Sequence, residues 1–160
     1  KNERGWYDRF RGRVMFPIHS VSGRVLGFGG RILSNSAKAA KYLNSPENPI
    51  YHKSKVLYGL YQAKQEIVKR DEAFLVEGYT DVLSFYQNGV RNVVSSSGTA
   101  LTEGQIGMLK RYTPNITLLF DGDAAGLRAS FRGPGPGAGR RAERTVFLNW
   151  VYGDESPMRK

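Results

Sequence analysis

Short apolar runs alternate with amphipathic stretches in the second half of the chain, and this alternation limits the folds open to it. Residues 73–77, 93–96 and 116–120 are apolar runs of the length that buried strands have. Helical patterns separate them, and another begins at Ala124 after the last run. Alternating strands and helices connect by right-handed crossovers and form a parallel sheet covered by helices. We therefore predict an α/β fold here.

Capping residues mark where two of these helices begin and end. Thr80 is predicted to cap a helix that ends at Asn88–Gly89, because Asn and Gly accept the left-handed backbone that closes helices. Thr102 and Gln105 have the spacing of a capping box, in which each side chain binds the other residue's backbone amide. The second helix should reach about Tyr112.

The first half of the chain predicts a different arrangement. Residues 13–20 and 24–33 read as two strands joined by a short turn, and the glycines of the second strand indicate a bulge or a close backbone approach. Residues 41–49 are predicted to form a loop from their Asn, Ser and Pro content. A helix should begin at Ser54, where apolar residues follow at helical spacing.

Charge divides the chain into three parts. Residues 1–70 carry 14 Lys and Arg against 4 Asp and Glu, whereas residues 71–132 carry 5 against 7. A basic part followed by an acidic part indicates that one holds a polyanion and the other holds cations, although a generic solvated surface remains an alternative. Residues 133–160 are rich in Gly, Pro and Arg without an apolar period, which predicts an atypical tail. We predict three units with these boundaries.

Composition limits the metal chemistry and the location. There are no cysteines and only two histidines, so a thiolate zinc site is excluded and a bound metal must be held by carboxylates, which favours Mg²⁺ or Mn²⁺.

No apolar run reaches the roughly 18 residues that a membrane helix needs, so we expect a cytoplasmic protein without a membrane partner. The chain begins with Lys1, which predicts an excised fragment.

Acidic residues follow two of the predicted strands. Glu77 ends the first strand in VEGYTD, and Asp121 and Asp123 follow the third strand in LLFDGD. Ligands in parallel sheets bind outside the carboxyl ends of the strands, so these carboxylates are predicted to meet in one crevice and bind a cation for phosphoryl transfer. Glu77 either binds the metal or handles a proton beside it. Asp81 is a possible additional acid. A surface turn at Asp121–Asp123 remains the structural alternative.

Basic residues form the second candidate group. Arg9, Arg11 and Arg13 alternate, so on an extended segment they would share one face and could follow a phosphate backbone. Lys41 and Lys53 lie on or beside the Pro-containing loop, where a cation could meet an incoming triphosphate.

Aromatic residues are interleaved with these cations. Trp6, Tyr7, Phe10 and Phe16 could stack on bases or fill a core between two small subdomains. We favour the core for Phe10 and Phe16.

The motifs VEGYTD, SSGTALT and FDGDAAGLRAS, in this order, resemble the TOPRIM domain, a catalytic module of bacterial primases, topoisomerases and some nucleases. Four upstream segments resemble bacterial replicative primases of the DnaG type: YDRFRGRVMFPI, GRVLGFGGRIL, KYLNSPE and HKSKVLYGLYQAK. The resemblance covers Gly5 to about Arg132. It implies a TOPRIM-type parallel sheet flanked by helices, preceded by a small basic α+β subdomain.

The resemblance also implies roles for single residues. Glu77 matches the catalytic glutamate of the family, Asp121 and Asp123 match its metal-binding pair, and Asp81 matches a second acid. The basic positions that match template or nucleotide contacts are Arg9, Arg11, Arg31, Lys41 and Lys53.

The implied function is metal-dependent synthesis of short RNA primers on single-stranded DNA from ribonucleoside triphosphates, with the replicative helicase as a partner through a domain absent here. Another TOPRIM nuclease or topoisomerase and a catalytically dead DNA-binding fragment are the alternatives. The resemblance stops near Arg132, so we expect the sheet to lack its next strand and the fragment to be weakly active or inactive.

Overall fold

The computed structural model describes residues 5–33, 39–98, 100–121 and 144–148, with the backbone alone for 120, 121 and 144–148. A basic antiparallel sheet precedes a parallel sheet with helices on its faces, which confirms the predicted α/β class. The strands are β1 (Arg13–His19), β2 (Val25–Ile32), β3 (Tyr42–Asn44), β4 (Ala73–Val76), β5 (Val93–Ser95), β6 (Ile116–Asp121) and β7 (Arg144–Leu148). The helices are α1 (Leu60–Arg70), α2 (Tyr79–Gln87) and α3 (Glu103–Leu109), and a 3₁₀ turn spans Lys53–Lys55.

The antiparallel sheet has the order β1-β2-β3. The two predicted strands are confirmed, and the register shifts between Ile18 and His19 opposite Gly27, which is the irregularity that the glycines indicated. The prediction of a loop over residues 41–49 is wrong at its start, because Tyr42–Asn44 pairs with the free edge of β2. Pairing along that edge outweighs the local turn preference of the segment.

The first helix begins later than the sequence predicted. Lys53–Lys55 forms only a 3₁₀ turn, and α1 starts at Leu60 rather than at Ser54. Two features delay the helix. Tyr58 exchanges backbone hydrogen bonds with Ser95 of β5, which requires an extended backbone, and Gly59 has a left-handed conformation with φ of 83°.

The parallel sheet has the order β5-β4-β6-β7. Successive residues of a strand point to opposite faces, so β4, β5 and β6 each contribute to two cores. Helices α1 and α3 cover one face, while α2 and strand β1 cover the other. The cluster on the first face contains Leu57, Leu60, Ala63, Ile67, Ala73, Leu75, Val94, Ile106, Leu109, Ile116 and Leu118. The cluster on the second face contains Phe16, Ile18, Tyr51, Tyr58, Val76, Tyr79, Val82 and Val93.

Helix α2 ends where the sequence predicted, but its N-cap differs, and α3 ends at Leu109 rather than at about Tyr112. Helix α2 begins at Tyr79, so Thr80 lies in its first turn, and the Asp81 carboxylate accepts a hydrogen bond of 2.8 Å from the Gly78 N–H instead. Gly89 has the predicted left-handed backbone, with φ of 87°.

None of the helices within the described ranges has the length and apolar character needed to cross a bilayer.

The tail contributes a strand to the sheet. Arg144–Leu148 pairs in parallel with β6. Arg144 lies opposite Thr117 at one end of the pairing, and Leu148 lies opposite Asp121 at the other. The prediction that the sheet lacks its next strand is therefore wrong. The segment RTVFL contains the β-branched residues Thr145 and Val146 and the aromatic residue Phe147. Such residues favour strands and suit the segment to pair with an open sheet edge. The helix predicted from Ala124 lies outside the described residues.

Candidate active site

An open groove of about 990 Å³ runs between the antiparallel sheet and the carboxyl ends of the parallel strands. Arg31 and Lys41 line one side of it, and Glu77 and Asp81 line the other. Ser97, from the loop after β5, contributes to the floor. The groove thus brings together four residues that the sequence placed in two separate candidate groups. We call its two sides the basic wall and the acidic wall.

The acidic wall is built by the ends of neighbouring parallel strands. Glu77 follows the last residue of β4, and its carbonyl accepts a hydrogen bond of 3.1 Å from the Gly98 N–H. Leu75 of β4 pairs with Leu118 of β6, so the same register continued sets Asp121 beside Gly78. Glu77 and Asp121 therefore leave adjacent strands at the same edge of the sheet. The Asp121 side chain and the whole of Asp123 lie outside what the structure describes.

Asp81 has a structural role in the acidic wall. Its bond to the Gly78 N–H satisfies an amide at the start of α2 that has no partner within the helix. The bond also orients the backbone directly after Glu77. A role for Asp81 as an additional acid stays a prediction.

Oxygen ligands are what the acidic wall offers to a metal. Among the described residues no group of three or more His, Cys, Asp or Glu side chains is placed to bind one, and two of the three predicted ligands have side chains outside that part of the chain. The donor set of Glu77 with Asp121 and Asp123 consists of carboxylates alone. Such a set fits a hard divalent cation such as Mg²⁺ or Mn²⁺.

Tyr79 joins the two walls, and the sequence did not single it out. Its ring is 2% exposed, stacks on Phe16 with ring centres 5.0 Å apart, and meets Tyr58 edge-on at 4.7 Å. Its hydroxyl donates a hydrogen bond of 2.8 Å to Asn44 Oδ1 of the basic side. A Cβ at Gly29 would lie 2.5 Å from this ring, so the glycine is what allows the close approach. The glycine-rich second strand was the sequence feature that pointed to this contact.

Burial raises the pKa of Tyr79. Desolvation raises the pKa of its phenol to about 12, and a hydrogen bond with Ser97 only partly offsets this effect. Burial also raises the pKa of Tyr51 and of Tyr58. The Tyr79 hydroxyl is thus a still weaker acid than a free phenol, and it donates its hydrogen to Asn44 Oδ1.

The basic wall is held to the acidic wall by a second contact. Tyr42 begins β3, and its hydroxyl lies 3.3 Å from Thr80 Oγ1 in the first turn of α2. The Arg31 guanidinium lies 5.8 Å from the centre of the Tyr42 ring. Lys41, directly before β3, is exposed at the mouth of the groove. Arg31 therefore lies beside a tyrosine that reaches across to α2.

The first arginines do not form the predicted row. Residues 9–12 form turns, and Gly12 has a left-handed backbone with φ of 66°, so Arg9 and Arg11 are exposed but do not lie on an extended strand. The Arg13 guanidinium donates to the Gly30 carbonyl at 3.2 Å and to the Ala40 carbonyl at 2.9 Å. The prediction that all three share one phosphate-binding face is therefore wrong, because the chain turns between them. Arg13 supports the start of the basic wall.

The four N-terminal aromatics divide by burial. Phe16 is 5% exposed and lies in the second core, as predicted, and Phe10 is half-buried. Trp6 and Tyr7 are 87% and 59% exposed, so they belong to no core in the described part of the chain.

Lys53 lines a narrow cleft beside the groove. The cleft shares Asn44 and Ser97 with the groove and also includes Ser96. Lys53 is half-buried, and its backbone belongs to the 3₁₀ turn before α1. The structure thus places the predicted lysine beside the Pro-containing loop, in the 3₁₀ turn that follows it.

Two family models match the chain in succession. The model described as the N-terminal domain of the DNA primase catalytic core matches residues 1–64, and the model described as Toprim-like matches residues 74–133. Together they cover both walls of the groove.

Curated relatives are DNA primases of bacteria. The DNA primase of Pseudomonas aeruginosa is 52% identical over 126 residues, which are 79% of this chain and 19% of the relative. The DNA primase of Escherichia coli K12 is 50% identical over 126 residues, which are 79% of this chain and 21% of the relative. The chain thus spans about a fifth of the length of these relatives.

Solved structures have the same architecture. The Aquifex aeolicus primase, solved with its zinc-binding and RNA polymerase domains, has a TM-score of 0.76 and 43% identity over 81% of this chain and 32% of that one. The Escherichia coli primase catalytic core has a TM-score of 0.75 and 49% identity over 82% and 42% of the two chains. A DnaG primase catalytic domain bound to single-stranded DNA has a TM-score of 0.71 and 50% identity over 78% and 39%.

Proposed function

The chain belongs to the DNA primase family of bacteria and covers the N-terminal and Toprim regions of its catalytic core, and from this premise we propose that it takes part in synthesis of short RNA primers on single-stranded DNA. The observation that carries the proposal is the groove with Arg31 and Lys41 on one wall and Glu77 and Asp81 on the other. Nucleotidyl transfer needs both signs of charge at one place, because a triphosphate must be bound while metal ions are held beside it.

The acidic wall carries the chemistry in this proposal. Glu77, Asp121 and Asp123 would hold Mg²⁺ or Mn²⁺, and Glu77 would either bind the metal or take the proton of the attacking hydroxyl. The hydroxyl oxygen forms a bond to the α-phosphorus of the incoming nucleotide, and pyrophosphate leaves. A bound divalent ion supplies charge neutralisation on the phosphoryl group and on the leaving pyrophosphate.

The basic wall binds the reactants. Arg31, Lys41 and Lys53 contact the triphosphate of the incoming ribonucleotide, since all three line the groove or the adjoining cleft. Arg9 and Arg11 are exposed in turns next to the antiparallel sheet and bind phosphates of the template. The relative solved with single-stranded DNA supports a template of this kind. In this proposal the basic subdomain ends at residue 70 and the catalytic subdomain begins at residue 71. The replicative helicase is a partner of the whole primase, and the protein acts in the cytoplasm.

Primer synthesis by this chain tests the proposal. The chain is incubated with a single-stranded template, labelled ribonucleotides and Mn²⁺, and the products are separated by length. We expect weak synthesis of short RNA that Glu77→Gln abolishes. Cleavage of the template would favour a nuclease instead, and template binding without either product would favour a DNA-binding module.

Metal binding is measured on the same material. Asp121→Asn and Asp123→Asn should each weaken Mn²⁺ binding by about tenfold in calorimetry, because each removes a charged ligand worth roughly 1.4 kcal/mol or more. Unchanged affinity in both variants would exclude these aspartates as ligands.

A further inference from the structure

The capping box of α3 reaches beyond its own helix. Gln105 is fully buried, and its Oε1 accepts a hydrogen bond of 3.1 Å from the Thr102 N–H, as a capping box requires. Its Nε2 donates two more bonds, at 3.1 Å to the Lys53 carbonyl and at 2.9 Å to the Val56 carbonyl. Helix capping needs neither of these two bonds, and both partners lie about fifty residues away along the chain.

Thr102 binds the same 3₁₀ turn. Its hydroxyl donates a hydrogen bond of 2.8 Å to the Ser54 carbonyl and accepts one of 3.2 Å from the Gln105 N–H. A Cβ at Gly104 would lie 3.2 Å from the Ser54 carbonyl oxygen, so the start of α3 approaches the turn closely. Carbonyls of three residues between 53 and 56 are thus bound by two side chains.

These bonds help to hold the turn in place, together with a hydrogen bond of 3.0 Å that the Lys53 N–H donates to Glu47 Oε1. The turn buries none of its own residues, and its N-cap has no side-chain hydrogen bond. Gln105 uses both Nε2 hydrogens and its Oε1, and it is buried where a lost partner is costly. The capping box thus helps to position the backbone from which the Lys53 side chain leaves, in a cleft that Ser96 and Ser97 also line.

We propose that Thr102 and Gln105 are positioning residues that hold Lys53 at the groove and thereby set its affinity for the triphosphate of the incoming nucleotide. The inference rests on the proposed function, because it takes the binding of the triphosphate by Lys53 as given. It adds that the Toprim half of the chain, through α3, places a cation that belongs to the N-terminal half.

A double-mutant cycle tests this dependence, with ATP as the probe and calorimetry at low salt as the measurement. The variants of the intact chain are Gln105→Met, Lys53→Met and the double variant. Each single substitution should weaken ATP binding by about tenfold, the effect of losing one charge-assisted hydrogen bond. The double variant should be no more than about twofold weaker than either single variant, because residues that act through one contact are not additive.

Two further variants separate positioning from general stability. Thr113→Val removes a buried hydroxyl that donates to Asp71, just before the amino-terminal end of β4 and away from the groove. It should therefore lower stability without changing ATP affinity. Thr102→Val removes the bond to Ser54 at a half-buried position and should weaken ATP binding by about threefold. Thr102→Val takes the place of Gln105→Met in the cycle if the latter does not fold.

The outcomes distinguish this inference from the proposed function. Additive losses of about a hundredfold in the double variant, or an equal loss in Thr113→Val, would overturn the inference because the box would then act through the fold as a whole. Unchanged affinity in Lys53→Met would overturn it as well, while leaving Arg31 and Lys41 as triphosphate ligands. Absence of ATP binding by the unaltered chain would instead overturn the proposed function.

Discussion

The two faces of the parallel sheet are packed with different side chains. The core under α1 and α3 is aliphatic, and all its buried members are Ala, Val, Leu or Ile. The core on the other face has an aromatic centre made by Phe16, Tyr51, Tyr58 and Tyr79. An aliphatic core contributes burial alone, whereas a tyrosine buries a ring and still carries a hydroxyl to the edge of the core.

This difference shows how the groove is assembled. The aliphatic core packs α1 and α3 against the parallel sheet and so supports the acidic wall from behind. The aromatic core joins that sheet to the antiparallel one, and the Tyr79 hydroxyl ends at Asn44 across the groove. We infer that the distance between the walls depends mainly on the aromatic core, so that damage to the two cores should have different consequences for binding.

Truncation of Tyr79 should have the largest effect. Tyr79→Ala removes a stacked ring, an edge-on contact and a hydrogen bond, and should lower the free energy of unfolding by about 3–5 kcal/mol. Urea unfolding measures this change. ATP binding to the folded fraction should also weaken, since the basic wall loses its main attachment.

The control for Tyr79→Ala is a truncation in the aliphatic core. Ile67 of α1 is fully buried, and Ile67→Ala should cost about 2–5 kcal/mol. It should leave the ATP affinity of the folded fraction unchanged. If the two variants lose ATP affinity equally, the aromatic core has no special part in the groove.

Alkaline pH should weaken the aromatic core selectively. The pKa of Tyr79 is about 12 in the folded protein against 10 in the unfolded chain, so its burial as a neutral phenol stabilises the fold fully below pH 10. That contribution is lost as pH rises from about 10 to 12, and two pKa units correspond to about 2–3 kcal/mol. Unfolding measured across this range should show the loss.

Tyr79→Phe removes the titrating group and serves as the control for the pH experiment. It should cost about 1 kcal/mol at neutral pH through the lost bond to Asn44. The stability difference between the two proteins should then shrink above pH 10 and reverse in sign. A constant difference up to pH 12 would mean that Tyr79 is not the group that titrates.

A side chain added at Gly29, where the antiparallel sheet contacts Tyr79, should have a smaller effect on stability. Gly29→Ala places a methyl group 2.5 Å from the Tyr79 ring and should destabilise the protein by about 1–3 kcal/mol. Gly107→Ala is the matched substitution within α3, where nothing lies within 4 Å of the new methyl group, and it should stabilise by up to about 1 kcal/mol. Thermal unfolding of both variants checks the opposite signs.

The exposed arginines should have the smallest effect, and one that depends on salt. Arg9→Ala and Arg11→Ala should each flatten the slope of log affinity for single-stranded DNA against log salt by about 0.7, without loss of stability. Lys110→Ala with Arg111→Ala, which removes two exposed cations after α3, is the charge-matched control and should leave the slope unchanged. A wild-type slope in the Arg9 and Arg11 variants would place the DNA elsewhere.

The sequence by itself determined the features that depend on neighbours in the chain. Three strands of the Toprim half followed from short apolar runs, and Glu77 and Asp121 were placed at strand ends because they come directly after two of these runs. The Thr102–Gln105 capping box was also read correctly, because its bonds span only three residues. The roles assigned to the acidic and basic residues stay predictions.

Only the tertiary structure decided the contacts between distant segments. Periodicity reports which face of a strand or helix is apolar, but it cannot report which distant element covers that face. Tyr79 packs on Phe16, Gln105 binds the Lys53 turn, and Arg13 binds Ala40, each across more than twenty residues. The strands at Tyr42–Asn44 and Arg144–Leu148 exist because open sheet edges lie beside them. Such pairings depend on where the chain returns in space, and local propensity does not contain that information.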